Sequence, residues 1–137
     1  MIKNEIMQTK NDLLTQKIIA CAYKVHSELG PGFNEKTYHS ALKLSLEEEK
    51  LICETEKQCK VIYHGKQVGI FRLDLVVQDT VIVEVKAVNG YMPKVFEAQI
   101  LSYLKVADYG VGLLINFGNK SCQIRRLVAK SSLKSFA

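Results

Sequence analysis

The chain has 137 residues, of which 47% are hydrophobic and 24% charged, and its formal net charge is +5. These values are ordinary for a globular protein and exclude a largely disordered or low-complexity chain. We expect one domain with a core over about residues 11–128 and a polar, frayed tail at 130–137. The excess of lysine and arginine favours a polyanionic partner.

Neither the first residues nor any internal run predicts export or a membrane. Residues 1–5 are polar and lead into no apolar segment, and no run approaches the ~18 apolar residues of a membrane span. We therefore expect a soluble, cytoplasmic protein without membrane contacts. The cysteines lack the C-x-x-C spacing of zinc sites, so we expect reduced, mostly buried thiols.

Two helices are predicted first. Apolar residues at steps of three and four predict a helix over 11–29, which Gly30-Pro31-Gly32 ends. Asn34 is a suitable N-cap for a second helix that extends to about Lys50. The positions expected to face inward are Leu14, Ile18, Cys21, Val25 and Leu29, then Tyr38, Ala41, Leu42 and Leu46.

Three strands, a helix and two more strands are predicted to follow. The first three strands are short and locally connected, which indicates an antiparallel meander. Pro93 suits the first turn of the third helix, and Gly118-Asn119-Lys120 suits a turn between the last two strands. The predicted ranges are 58–63, 69–77 and 81–88 for the first strands, 93–106 for the helix, and 110–117 and 122–128 for the last strands.

Two charges lie within a strand that is otherwise apolar on both faces. Glu84 and Lys86 are two residues apart, so in a strand their side chains project to the same face. Burying such charges is costly unless a partner or a metal compensates them. The same spacing recurs at Glu48 and Lys50, but on a helix residues two apart do not face each other. Only the copy at Glu84 can therefore build a site.

Asp74 lies near the end of the preceding strand. Strict alternation would place Arg72 and Asp74 on one face of that strand. Residues 78–80 fit a three-residue turn, which would set Asp74 directly opposite Glu84. The other face of the strand would carry Phe71, Leu73, Leu75 and Val77.

This pair of carboxylates has two explanations. Opposed carboxylates repel unless a cation lies between them, and oxygen ligands suit Mg²⁺ or Mn²⁺ rather than zinc. Such an ion could polarise a phosphodiester and activate its bound water, with Lys86 in an electrostatic role. Alternatively, Arg72 and Lys86 neutralise Asp74 and Glu84 without any metal, and these residues alone do not decide between the two.

Two pairs of polar residues on the predicted helices extend the pattern. Glu35 and Tyr38 are three residues apart at the start of the second helix, and Gln99 and Tyr103 are four apart on the third, so each pair shares a face. A helix N-terminal acid and the polar rim of a core helix explain them equally well. Whether these pairs belong to a functional site is judged from the order of all the motifs along the chain.

Five segments follow one another along the chain: Gly32-x-x-Glu35-x-x-Tyr38, Arg72-x-Asp74, Glu84-Val85-Lys86-Ala87-Val88, Glu97-Ala98-Gln99-x-x-x-Tyr103-Leu104 and Gly112-Leu113-Leu114-Ile115-Asn116-Phe117. Together they resemble the GxxExxY family of small bacterial and archaeal proteins, which is placed in the PD-(D/E)XK nuclease superfamily. The resemblance covers roughly residues 14–128. It implies an α/β (α+β) fold with a restriction-endonuclease-like αβββαβ core, in which helices flank a central mixed sheet.

The resemblance also implies roles for individual residues. Asp74 and Glu84 would bind the metal, with the Val85 backbone carbonyl as a third ligand and Glu35 reaching it through water. Lys86 would be the catalytic lysine, and Gln99 would belong to the catalytic set. Supporting positions would be Tyr38, Arg72 and Tyr103. Leu73 stands where the proline of the superfamily name would be.

Three functions are consistent with these observations. The first is a metal-dependent nuclease, with DNA favoured over RNA as its substrate and a homodimer as a reasonable hypothesis for cutting two strands. The second is a non-catalytic module of the same fold that binds nucleic acid or a protein. The third, a hydrolase of a small phosphorylated molecule, is weaker because the chain lacks a phosphate-cradling glycine loop.

Overall fold

Three helices and five strands make up the part of the chain that the structure describes. The computed structural model describes the backbone of residues 2–129 and the side chains of residues 11–129, so the predicted tail lies outside it. The helices are α1 (Ile2–Leu29), α2 (Glu35–Glu48) and α3 (Val95–Ala107). The strands are β1 (Cys53–Tyr63), β2 (Lys66–Val77), β3 (Val81–Lys86), β4 (Val111–Asn116) and β5 (Gln123–Val128). The predicted order of elements is confirmed.

One mixed sheet contains these strands in the order β1-β2-β3-β4-β5. The first three strands form the predicted antiparallel meander. β4 is parallel to β3, because α3 provides the crossover that a parallel pair needs, and β5 returns antiparallel to β4. The predicted mixed sheet flanked by helices is confirmed.

The core has two layers, one on each face of the sheet. α1 and α2 cover one face, where Leu42 and Leu46 pack against Val83 and Leu113. α3 covers the other face. Gly112 lets α3 approach closely, since a Cβ there would come within 2.7 Å of Ile100. The buried residues of the core layer on the α3 side of the sheet, including two from α3 itself, are Leu73, Val76, Ile82, Met92, Ile100, Leu104, Leu114 and Ala129.

Several element ends differ from the prediction. α1 starts at Ile2 instead of residue 11, and β1 starts at Cys53 instead of residue 58. The start of β1 is polar and charged, and its pairing with β2 outweighs that weak local preference. β3 ends at Lys86, because Val88 is bonded by the side chain of Asn116 instead of a neighbouring strand.

The ends of two other elements also shift. α3 starts at Val95, so Pro93 precedes its first turn instead of lying within it. β2 starts at Lys66 instead of residue 69. Leu29, predicted to face inward, is exposed at the last residue of α1. None of these shifts moves the strands that carry the predicted site.

The alternation of faces along β2 changes at Asp74. After it, Leu75 lies in the core beneath α1 and α2, whereas Leu73 before it packs toward α3. Opposite Asp74, Glu56 of β1 has a left-handed backbone with a φ of 51° and forms no ladder pair. Irregularities of this kind re-aim side chains and are common next to functional sites. The predicted single face of Phe71, Leu73, Leu75 and Val77 is therefore wrong.

Two further expectations concern the cysteines and the membrane. The four cysteines are free thiols, of which Cys21 is buried and the other three are half-buried. Burial raises the pKa of Cys122 to about 11, so this thiol stays protonated at neutral pH.

Within residues 2–129, no helix combines the length and the apolar character that crossing a membrane requires.

Candidate active site

Asp74 and Glu84 face each other at the point where the ladder between β2 and β3 ends. The last ladder pair on this side is Leu75 with Val83, and the next pair in the same register is Asp74 with Glu84. The connection at residues 78–80 has the odd length that this register requires. The two residues thus lie beside each other just beyond the last ladder pair, and the N–H of Asp74 donates to Glu84 Oε1 at 3.3 Å.

Glu84 is a buried acid with an unusual protonation equilibrium. It is only 5% exposed. Burial, followed by the negative charge of Asp74, raises the pKa of Glu84 to about 8, while the nearby Lys86 acts in the opposite direction. Burial, followed by the charges of Glu84 and Asp74, also raises the pKa of Tyr103. Without a cation, the pair therefore holds a proton at neutral pH.

Within residues 11–129, no lysine or arginine forms an ion pair with Asp74 or Glu84. Arg72 is exposed on β2. The Lys86 ammonium instead lies over the ring of Phe96, 4.4 Å from the ring centroid. The ion pairs that are present are Lys57–Glu54, Lys57–Asp79 and Arg126–Asp12. Direct neutralisation by Arg72 and Lys86, the metal-free alternative, does not occur at ion-pair distance.

An open cavity of about 440 Å³ lies between α2 and Asp74. Asp74 and Val85 line it on the sheet side, and Glu35 and His39 line it on the helix side. His39 Nε2 lies 2.9 Å from the backbone carbonyl oxygen of Asp74. A carbonyl oxygen can only accept a hydrogen bond, so Nε2 carries the proton and donates a hydrogen bond to the Asp74 carbonyl. The cavity thus brings Glu35 to the Asp74 side of the predicted site.

Glu84 and Lys86 point to the opposite face of the sheet from this cavity. Val85 belongs to the core beneath α1 and α2, so its two neighbours alternate toward α3, as the contact of Lys86 with Phe96 also shows. Asp74 therefore connects the cavity on the α2 face of the sheet with Glu84 on the α3 face. Glu35 does not complete a three-acid cluster: among the described side chains, no three His, Cys, Asp or Glu residues are grouped to hold a metal.

Tyr38 does not line the cavity, although it shares the first turns of α2 with Glu35. It is fully buried, and its ring stacks on Phe117 with centroids 4.8 Å apart. Its hydroxyl donates to the carbonyl of Gly30 at 2.6 Å and accepts from the N–H of Phe33 at 3.1 Å. Tyr38 thus fixes the loop that leads into α2.

The remaining predicted residues occupy α3 and the strand beside it. Tyr103 is half-buried and stacks on Phe71, with ring centroids 4.3 Å apart. Gln99 is exposed on α3, and no hydrogen bond within the described part of the chain joins it to the carboxylates. The charges of the pair act on the pKa of Tyr103, whereas no contact within residues 11–129 connects Gln99 to the pair.

The cavity residues that were not predicted from the sequence include His39 and Glu56. His39 lies four residues after Glu35 on α2, a spacing that puts both on one helical face and could have identified it. Glu56 also lines the cavity, opposite Asp74. It lies in a charged run, and no local signal predicts its left-handed backbone.

The donor set fits a hard divalent cation. Its groups are carboxylate oxygens, which Mg²⁺ and Mn²⁺ prefer. The backbone N–H of Val85 donates to Asp74 Oδ2 at 3.0 Å, so the carboxylate is oriented by the neighbouring strand. A cation bound here would replace the proton that the raised pKa of Glu84 retains.

Comparisons with known proteins agree with this fold. A family model described as the PD-(D/E)XK nuclease superfamily matches residues 12–127. The solved structure titled "Crystal structure of SSO0001" is similar to the chain, with a TM-score of 0.51 at 17% identity over 69% of this chain and 49% of that chain. The chain thus spans about half the length of that protein, and at this identity the likeness concerns the fold alone. No curated protein matches the chain.

Proposed function

We propose, because this chain belongs to the PD-(D/E)XK nuclease superfamily, that it hydrolyses phosphodiester bonds of nucleic acid with Mg²⁺ or Mn²⁺, with DNA as the favoured substrate. The observation that carries the proposal is the opposition of Asp74 and Glu84 with no ion-pair partner among the described residues. The net charge of +5 favours a polyanionic substrate. We also propose that the chain is a member of the GxxExxY family and forms one domain.

In this proposal each residue has a separate task. Asp74 and Glu84 would hold the cation, with the Val85 carbonyl as the third ligand and Glu35 acting through water from the α2 side. A cation held there would supply the activation of a water and the polarisation of the phosphodiester. Lys86 leaves the ring of Phe96 and offsets the charge that develops on the phosphorane. Its ammonium serves as an electrostatic group and not as a base.

The residues around this centre have supporting tasks. Tyr103 stacks on Phe71 next to the carboxylates, and Gln99 lies one turn before it on α3. We propose that Gln99 reaches the site when substrate is bound, and that Arg72, exposed on β2, contacts the phosphate backbone. Tyr38 positions the loop before α2.

A homodimer would supply two sites for two strands, and sedimentation that detects only monomer under assay conditions would contradict it.

The decisive experiment combines metal binding with cleavage. Calorimetry with Mn²⁺ and Mg²⁺ is performed on the wild type, Asp74→Ala, Glu84→Gln and Lys86→Ala, followed by cleavage of single- and double-stranded DNA and RNA. We expect the two acid variants to lose both metal binding and cleavage, and Lys86→Ala to lose cleavage alone. The second Glu-x-Lys copy provides matched controls, since Glu48→Gln and Lys50→Ala should behave as the wild type. Absence of metal binding in the wild type would favour the non-catalytic module.

A further inference from the structure

A second open cavity, of about 450 Å³, lies beside the first. Its walls come from the loop before α2, the segment after β3 and the turn between β4 and β5, represented by Phe33, Asn89 and Lys120. Lys120 is the one charged residue among the described residues that line it. The first cavity, by contrast, has Glu35 and Asp74 in its lining. The second cavity is therefore better suited to an anionic group.

The two cavities share the elements that hold the candidate active site. Along the chain that leaves β3, Val85 lines the first cavity and Ala87 lines the second. Two residues of extended chain span about 6.6 Å. The side chain of Lys86, the residue between them, points to the other face of the sheet, so the two cavities are linked on the face where Asp74 lines the first cavity. A nucleic-acid strand that is cut at the active site would therefore continue into the second cavity.

Phe33 presents an aromatic ring at this cavity. The side chain is 49% exposed although it lies in a tight loop. The buried Tyr38 holds it in an edge-to-face arrangement, with ring centroids 6.0 Å apart and an interplanar angle of 79°. Exposed aromatic rings on a rigid support are the usual stacking platforms for unpaired bases. Phe33 and Lys120 line the same cavity, which thus combines a base-stacking group with a phosphate-binding group.

Hydrogen bonds of Asn119 make the floor of the cavity rigid. Asn119 Oδ1 accepts from the N–H of Gly90 at 2.7 Å, and its Nδ2 donates to the Gly90 carbonyl at 2.8 Å. Gly118 packs directly on the same segment, since a Cβ there would lie 2.5 Å from the backbone of Val88. Lys120 therefore extends from a preorganised turn, which reduces the entropic cost of binding.

We propose that the second cavity is a nucleotide subsite that takes one unpaired nucleotide next to the scissile position, with its base on Phe33 and its phosphate facing Lys120. Bases within a duplex are stacked on their neighbours, so only an unpaired segment can offer a face to Phe33. The inference rests on the proposed nuclease function and deepens it, because it assigns single-stranded or locally unpaired nucleic acid as the substrate class.

The test measures binding of a fluorescently labelled single-stranded oligodeoxynucleotide by anisotropy in EDTA, so that cleavage does not interfere. Phe33→Ala and Phe33→Leu should each weaken binding about tenfold, the effect of losing one base–aromatic stack. Lys120→Gln should reduce the slope of log K against log salt by about 0.7, the contribution of one phosphate contact on a single strand. Tyr23→Ala and Lys17→Gln, at exposed positions of α1, are the matched controls and should leave binding unchanged.

The outcomes separate this inference from the proposed function. If the wild type binds no oligonucleotide, both are overturned. If the wild type binds and the Phe33 and Lys120 variants bind equally well, the subsite alone is overturned. A fully paired duplex should be insensitive to Phe33→Ala, and equal weakening on duplex and single strand would contradict the stacking role. If thermal denaturation shows that the Phe33 variants are unfolded, the effect of the exposed Lys120→Gln substitution on oligonucleotide binding decides whether the subsite is overturned.

Discussion

The carboxyl group of Glu84 accepts a hydrogen bond from the backbone N–H of Asp74 at 3.3 Å across the two strands. In return, the carboxylate of Asp74 accepts from the N–H of Val85, the residue after Glu84, at 3.0 Å. Each acid is thus held in place by the backbone of the strand that carries the other. The two carboxylates repel each other but are held in place, so their repulsion is relieved by a proton on one of them or by a cation between them.

The first prediction concerns the stability of the metal-free protein. Asp74→Asn removes a negative charge beside Glu84 but keeps an oxygen that can accept from Val85, so we expect the free energy of unfolding to rise by about 1 kcal/mol. Urea denaturation in EDTA measures it, with Asp108→Asn at an exposed site as the control. Addition of Mn²⁺ should stabilise the wild type and leave Asp74→Asn unchanged. Destabilisation by several kcal/mol in EDTA would instead indicate a structural role for the Asp74 charge.

The second prediction concerns pH. The pKa of Glu84 in the folded protein, about 8, lies above its ordinary value of 4.5, so the folded state binds the proton more tightly. The resulting stability is complete below the unfolded pKa and is lost as the pH rises through about 8. Glu84→Gln should therefore flatten the dependence of unfolding free energy on pH between about 5 and 8 in EDTA. Glu48→Gln should retain the wild-type dependence, and parallel curves for the wild type and Glu84→Gln would refute the shift.

The third prediction links the same proton to the metal. Binding of a cation requires Glu84 in its charged form, so each ion bound should release up to one proton below the Glu84 pKa of about 8. Calorimetric titrations with Mn²⁺ in buffers of different ionisation enthalpy measure the number released. We expect that number to fall toward zero above the pKa, and a value of zero at neutral pH would contradict the raised pKa.

Local rules predicted the register that brings the carboxylate pair together. The odd length of the connection at 78–80 fits the pairing of Val77 with Val81 and of Leu75 with Val83, beyond which Asp74 lies next to Glu84. Asn34 caps α2 as predicted, since its side chain accepts from the N–H of Thr37 at 2.9 Å. These features depend on residues close in sequence, which is why the sequence alone predicts them.

The parts of the site that were not predicted depend on contacts between distant segments. The change of face at Asp74 accompanies a left-handed residue, Glu56, on the neighbouring strand, and left-handed glutamates have no sequence signature. The bond from His39 to the carbonyl of Asp74 joins residues 35 positions apart. Separation of Glu35 from Glu84 by the sheet is likewise a property of the packed layers. Alternation of side chains along one strand cannot reveal it.

The fourth prediction concerns Lys86. In the proposed function the Lys86 ammonium supports the transition state and does not bind the metal, so Lys86→Ala should reduce the cleavage rate about 10²–10³-fold and leave Mn²⁺ affinity nearly unchanged. Lys86→Arg keeps the charge and should retain part of the activity. Lys50→Ala is the matched control on α2. Loss of metal binding in Lys86→Ala, measured by calorimetry, would show that the lysine has a structural task instead.

The fifth prediction concerns Asn116, which holds the segment after β3 in place. Asn116 is fully buried, and its Oδ1 accepts from the N–H groups of Val88 and Gly118, while its Nδ2 donates to the Val88 carbonyl and to Gln123. Asn116→Ala leaves buried groups of Val88 without partners, so we expect the free energy of unfolding to fall by about 3 kcal/mol. Urea denaturation measures it.

Asn89→Ala is the control for Asn116→Ala, because this asparagine is exposed in the same segment and its loss should change stability by less than about 0.5 kcal/mol. The segment also connects β3 to α3, whose Phe96 contacts Lys86, so the Asn116 variant tests whether the site depends on it. We expect Mn²⁺ affinity, measured by calorimetry where the variant is still folded, to fall together with stability. A variant that loses stability but binds Mn²⁺ as the wild type does would show that β2 and β3 position Asp74 and Glu84 without this segment.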